Sequence, residues 1–236
     1  MVARVNASNK TTKSNRNWTQ NPREVRSDIL NVAMRVFAKH GLSGARIDEI
    51  AAATKTSKRM IYYYFGDKEG LYKHALEAAY AKIRIGEENL VLNNMPARKA
   101  LKKLIHFTFE HHRKHPDFIR IVQVENTHNA RYLQESKHLR VLNADVIERL
   151  SKIILQGERE GTFRSGIHPV ALHWHISAMS FFNVSNRESF SASFGATIFS
   201  AQWQKRLEDD ATEMILNYVS AKPSEKAAET PPAANS

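Results

Sequence analysis

The chain has 236 residues, 42% of them hydrophobic, which is enough apolar mass for a sizeable core and excludes global disorder. Lys and Arg number 35 against 24 for Asp and Glu, a formal net charge of +11 that favours a polyanionic partner such as nucleic acid or an anionic membrane surface. The absence of cysteine removes disulfides, thiolate metal sites and cysteine nucleophiles, and fits a reducing cytosol.

The charge is uneven. Through Leu71 there are 13 basic and 6 acidic residues, a net of +7, while the remainder holds 22 and 18, a net of +4. Residues 1–20 carry Arg4, Lys10, Lys13 and Arg16 among Asn, Ser and Thr, with no apolar run of signal-peptide length. They read as a disordered basic arm. No eighteen apolar residues run together, so no membrane span is expected and the chain reads as a soluble, cytoplasmic protein.

Few glycines and prolines interrupt long stretches with apolar residues at three- and four-residue spacing, so the chain reads as all-α. Asn21-Pro22 sets an N-cap and a first-turn proline, and Ile29, Ala33, Val36 and Phe37 form one face of a helix over 22–40, which Gly41 ends. A second short helix is expected over 46–53, with Ile47, Ile50 and Ala51 inward. Thr54-Lys55-Thr56 then makes a turn, and Ser57 caps a third helix over 58–65 in which Ile61 and Phe65 are the buried pair. Two short helices across a three-residue turn make a helix-turn-helix candidate, which places the first domain at 21–70. Asp67 caps a longer helix striped by Leu71, Ala75, Leu76 and Ala79, which links to a second domain over 71–221.

Further amphipathic helices are expected at about 97–114, 117–126, 134–160, 169–185 and 200–220, with the Ser-rich segment 185–195 as a connection. Together they read as a helical bundle. Residues 222–236, rich in Pro, Ala, Ser and Glu, read as a disordered tail.

A helix that reads DNA presents a polar, basic face at its N-terminal end while its apolar side stays anchored. Residues 57–64 meet that demand. Ser57 offers a hydroxyl at a helix N-terminus, Lys58 and Arg59 add charge, and Arg59 is long enough to fork onto guanine O6 and N7. Tyr62, Tyr63 and Tyr64 cannot all be buried at about 100° per residue, so at least one faces outward. Lys68 is placed to pin the phosphate backbone from the next helix. The plainer alternative is a helix-turn-helix shape whose tyrosines only cover a core edge.

The pattern Ile29-Leu30-x-x-Ala33-x-x-x-Phe37-x-x-x-Gly41, Ile47-x-x-Ile50-Ala51 and Ser57-Lys58-x-x-Ile61-Tyr62-Tyr63-Tyr64-Phe65-x-x-Lys68-Glu69-x-Leu71 resembles the N-terminal domain of the TetR family of transcriptional regulators. The resemblance covers about residues 25–75. It implies a three-helix DNA-binding domain followed by a divergent helical domain for ligand binding and dimerisation, acting as a homodimer on palindromic operator DNA. It places Arg46, Ser57, Lys58, Arg59, Met60, Tyr62, Tyr63, Tyr64 and Lys68 at positions that contact DNA in family members. The sequence departs from the pattern at Lys55-Thr56, where Gly-Val is usual, and at Ala45, where a hydroxyl residue is usual. A non-Gly residue at positive φ in that turn costs about 1 kcal/mol.

In the second domain, Phe109, His112, Val122, Trp174, Ser177 and Phe181 are the candidate pocket residues, with Phe107, Phe118, Glu125, Met179 and Phe182 as further members. Plain core packing is the competing reading. The polar-aromatic character of His112, Trp174 and Ser177 suggests a small aromatic or heteroaromatic effector; separately, no cofactor is expected. His111 and His115, four apart, read as a solvated surface pair rather than a metal site. The resemblance points to the last two helices for dimerisation, and there Val170, Leu172, Ile176, Met179 and Phe182, with Trp203, Leu207, Ile215, Leu216 and Tyr218, are the apolar residues expected at the interface, burial inside one chain being the alternative. The resemblance implies a ligand-responsive repressor, with an activator or a regulator without an effector as the alternative, and the absence of a glycine-rich phosphate loop, a metal triad and a Gly-x-Ser-x-Gly motif agrees with a regulator rather than an enzyme.

Overall fold

The computed structural model describes residues 21–92 and 94–221. The expected basic arm over 1–20 and the tail over 222–236 lie outside the described residues. Within them the fold is all-α, and the one extended pairing is an isolated bridge between Phe163 and Ser220.

The first helix, α1 (Pro22–Gly44), starts where Asn21 accepts the Arg23 N–H at 3.1 Å, and it breaks at Gly41, whose φ of 66° only glycine adopts without strain. Helix α2 (Ile47–Thr54) packs Ile47, Ile50 and Ala51 inward. Lys55 then takes the left-handed conformation at φ 53°, and the Thr56 N–H bonds the Ala51 carbonyl at 3.1 Å, the six-to-one closure of a Schellman turn. The turn therefore keeps its geometry with Lys55 in the left-handed position. Helix α3 (Lys58–Phe65) begins where the Ser57 hydroxyl accepts the Met60 N–H at 3.2 Å, and buries Ile61 and Phe65.

Helix α4 (Lys68–Glu88) is capped by Asp67, which accepts from Gly70 N–H at 2.7 Å. Its buried stripe continues past Ala79 to Ile83, Arg84 and Glu87. The second half of the chain comprises α5 (Ala97–Lys114), α6 (Pro116–Thr127), α7 (Arg131–Glu135), α8 (Lys137–Arg159), α9 (Pro169–Ser185), α10 (Arg187–Phe194), a 3-10 turn at Ala196–Phe199 and α11 (Ala201–Val219).

Two expectations are corrected here. The single helix over 134–160 is two, because Ser136 leaves helical backbone and its hydroxyl accepts the Leu139 N–H at 3.2 Å, capping α8 afresh. The Ser-rich connection over 185–195 contains α10, whose residues are all partly or fully exposed, so no core periodicity announced it.

One apolar cluster joins α1, α2 and α3 to α4, α6, Tyr132 and Leu139; a second joins α5, α8, α9 and α11. Helix α6 packs along α1, so the helix-turn-helix rests directly on the second half of the chain. At that joint Glu125 is fully buried. It accepts the Tyr72 hydroxyl at 2.9 Å and the N–H groups of Tyr132 and Leu133 at 2.6 and 3.0 Å, binding α4, α6 and α7 together. Burial, then the adjacent Glu125 carboxylate, pushes the Tyr72 hydroxyl far above its ordinary range, so it stays a donor.

Candidate functional site

The outer face of α3 is built by contrast with its inner face. Ile61 and Phe65, each stabilising the anchor by about 1.5–3 kcal/mol, fix the helix against the domain core. Lys58, Arg59, Met60, Tyr62 and Tyr63 are left exposed, and Tyr63 reaches 77%. Tyr64 is half-buried and meets Tyr63 edge-on at 5.4 Å.

Two of the cations on this face are held by the protein itself. Lys58 pairs with Asp48 at 2.6 Å, which aims it along α2, and the Lys68 ammonium donates to the Ser43 carbonyl at 3.1 Å. Arg46 and Arg59 are exposed and have no ion-pair partner among the described residues. Ser57 Oγ already accepts an N–H, so what remains for a phosphate is its O–H and the helix N-terminus.

The second site is a cavity of about 420 Å³ between α4, α5, α6, α8 and α9. Tyr80, Ile83, Arg84 and Glu87 come from α4, Thr108 and His112 from α5, and Phe118 and Val122 from α6. Opposite them stand Val146 and Ile147 of α8 and His173, Ser177 and Phe181 of α9, with Asn143 and Val170 at the exposed rim.

Its polar groups are largely paired with one another. Arg84, 7% exposed, directs Nη1 to both oxygens of Glu87 at 2.8 and 2.7 Å and Nη2 to Asn143 Oδ1 at 3.3 Å. Burial raises the Glu87 carboxyl against the opposing pull of Arg84. His112 and His173 are both held down at about 4, chiefly by burial, so each ring is neutral near pH 7. Burial also pushes the Tyr80 hydroxyl up to about 12.

Four of the six expected pocket residues, His112, Val122, Ser177 and Phe181, line this one cavity, and Phe118 joins them. Phe109 does not: it lies at the base of a separate apolar groove with Met179, Phe182, Phe190 and Leu207. Trp174 is corrected outright, being 65% exposed and absent from the cavity wall. Leu172 and Ile176 point inward, and Trp174 sits about 200° round the helix from each. Glu125 is a joint rather than a wall.

Sequence reasoning missed Arg84 and Glu87. The signal was present, since Glu87 continues the Ala79-Ile83 four-residue step and Arg84 the Leu76-Tyr80 step, so two charges occupy buried register.

The solvated reading of His111 and His115 is also corrected. His115 is exposed, but His111 is buried against Phe118 and Phe107, and burial, then the neighbouring His115 and His112, lowers it to about 3. Among the described residues no group of three or more His, Cys, Asp or Glu is placed to hold a metal.

On the expected dimer face, Leu172, Ile176, Ile215 and Leu216 are buried in the chain's own core. Val170, Trp174, Phe182, Trp203, Met214 and Tyr218 remain exposed on α9 and α11. No helix among the described residues is long and apolar enough to cross a membrane.

Comparison with known proteins places these features. Residues 29–75 match the family described as bacterial regulatory proteins, tetR family, and residues 98–215 match the tetracyclin repressor-like C-terminal domain. The transcriptional repressor NicS of Pseudomonas putida is 36% identical over 167 residues, covering 71% of this chain and 79% of its own. The repressor SCO4008 of Streptomyces coelicolor is 30% identical over 103 residues, covering 44% of this chain and 50% of its own. Among solved structures, the transcriptional regulator SCO4942 of Streptomyces coelicolor shares 26% identity at a TM-score of 0.62, over 80% of this chain and 97% of that one. FadR of Bacillus subtilis, solved with stearoyl-CoA, shares the fold at a TM-score of 0.65 and 16% identity, over 82% of this chain and 98% of its own. With its helix-turn-helix and its C-terminal bundle matched in turn, and a repressor similar to it along most of its length, the chain belongs to the TetR family of transcriptional regulators, not to a family of enzymes.

Proposed function

We propose that this protein is a ligand-responsive repressor that binds a palindromic operator as a homodimer and is released by a small molecule entering the cavity between α4 and α9. The observation that carries this reading is the continuity from α3 to the cavity. The exposed face of α3 stands on a core that runs without interruption into α4 and α6, and both of those helices also wall the cavity.

In this reading Arg59 reads a base edge, and Lys58, Tyr62, Tyr63, Tyr64, Met60, Ser57, Lys68 and Arg46 position the helix in the major groove. A dimer formed through the exposed residues of α9 and α11 sets the two recognition helices about 34–36 Å apart, one DNA turn or a multiple of it. A ligand that favours another spacing loses affinity in the DNA-bound state by the same factor that it weakens DNA binding, typically about 5–150-fold. The relatives support the sign of regulation, since NicS and SCO4008 are repressors. FadR supports the presence of an effector, since that protein was solved with stearoyl-CoA.

The test is selection of genomic fragments by the purified protein at moderate and high salt, with the bound DNA sequenced. An enriched palindrome is expected; salt-sensitive binding without a motif would overturn specific regulation.

A further inference from the structure

The segment from Arg187 to Phe199, α10 and the 3-10 turn that follows it, is helical without one buried residue. A helix of eight residues does not persist in water on its hydrogen bonds alone and depends on packing an apolar face. Its own chain gives α10 little of that packing. The Phe190 ring meets Phe182 and Phe199 edge-on at 6.3 and 6.2 Å, and Gln204 Nε2 donates to the Ile198 carbonyl at 3.1 Å. Asn186 supplies no side-chain cap at the start of the helix. Phe194, tilted on Phe190 at 4.7 Å, is left 76% exposed.

Next to that projecting ring lies a recess. Between α9, α10, the 3-10 turn and α11 is an apolar groove of about 470 Å³, walled by Met179, Phe182, Phe190, Phe199, Leu207 and Met214, and none of the described residues lining it is charged. Phe182 and Met214 are also among the exposed apolar residues of α9 and α11 that the proposed dimer uses, so the groove opens within that contact.

A small apolar molecule would fill the recess and leave Phe194 in water, with α10 still unsupported. A second copy of the chain covers both. In a two-fold contact the same patch is presented twice, so a patch carrying a projecting ring and a recess side by side is complementary to itself. A lining free of charge suits the desolvated core of such a contact. We infer that α10 and the 3-10 turn form a clasp on the second copy, each copy seating its Phe194 in the other's groove against Met214. The contact supplies the packing that α10 lacks within its own chain. This rests on the reading of the protein as a homodimer through α9 and α11.

The experiment is sedimentation of the full chain over a wide concentration range, with Phe194→Ala, Met214→Ala and the double variant beside it. Both side chains are exposed within one chain, so neither substitution opens its core, and far-ultraviolet circular dichroism checks that each variant keeps its helices. Phe194→Ala is expected to weaken self-association roughly a hundredfold, because a two-fold contact loses one buried ring from each copy. Met214→Ala weakens it less, and the double variant loses less than the product of the two single losses, as residues in contact do. Hydrogen exchange of residues 187–199 slows as the dimer fraction rises.

A native dimer whose dissociation is unchanged by Phe194→Ala, or whose single losses multiply independently, overturns the clasp and leaves the homodimer reading standing. A native chain that stays monomeric at every concentration overturns the homodimer reading and the clasp with it.

Discussion

The outer face of α3 and the cavity beneath it treat polar groups in opposite ways. On α3 the charges and hydroxyls stand in water over a two-residue apolar anchor, Ile61 and Phe65, so they add little to stability and are available to a partner. In the cavity an arginine, a glutamate and His112 are buried and His173 is half-buried, and the fold tolerates them by pairing the ions and keeping the rings neutral. A change on the first surface is therefore expected to alter binding and spare the fold, whereas a change in the second alters both.

That contrast breaks most visibly with pH. His111, His112 and His173 are lowered to about 3, 4 and 4 in the folded chain, with Arg84, Lys82 and His115 among the charges facing them, while the unfolded chain protonates near 6.5. The unfolded state thus binds more protons as pH falls below 6.5, and stability is fully present above that value and lost toward 4, by up to about 1.4 kcal/mol per histidine per pH unit. Denaturant unfolding at pH 7 and pH 5.5 measures this, and His112→Phe should flatten the slope. An unchanged midpoint in the native chain would mean that the rings are not buried as described.

At the joint between the two regions, Glu125→Ala leaves the Tyr72 hydroxyl and two N–H groups without their acceptor. A loss of about 3 kcal/mol is expected, and Glu125→Gln should recover part of it by retaining one acceptor oxygen. On the α3 face, Arg59→Ala is expected to cost about 1–3 kcal/mol on the cognate operator and to relax selectivity at one base pair, with no shift in melting temperature. Lys68→Ala should weaken all sequences alike. Equal losses on all DNA for both variants would remove the base-reading role from Arg59.

The smallest effect belongs to the turn. Lys55→Gly relieves a left-handed backbone and should stabilise by about 1 kcal/mol in denaturant unfolding. A destabilised variant would show that Lys55 contributes contacts outweighing its backbone strain.

Most of the helix-turn-helix was legible because its boundaries are written in local chemistry: Asn21-Pro22, Ser57 and Asp67 each cap a helix through their own side chains. The break at Ser136 was hidden because the residues on either side keep an apolar spacing compatible with one helix. Helix α10 was hidden because it buries nothing. In the cavity the uncharged members His112, Val122, Ser177 and Phe181 could be picked out, since they lie on amphipathic helices with mixed character. Arg84 and Glu87 could not, because a charge is read as solvent-facing unless its register is followed turn by turn. Trp174 failed for the converse reason: a large aromatic was read as interior although Leu172 and Ile176 fix the inward side of α9.

Helix α6 walls the cavity with Phe118 and Val122 and at the same time braces α1. On the proposed function, anyone re-tailoring the regulator as a biosensor meets that double duty at once: enlarging the pocket at Phe118 or Val122 is expected also to loosen the brace and raise background expression before any new compound is recognised. On the same reading, Val146 and Ile147 line the space from α8 rather than from that brace, so a library built there is expected to change what the sensor detects while sparing its off state.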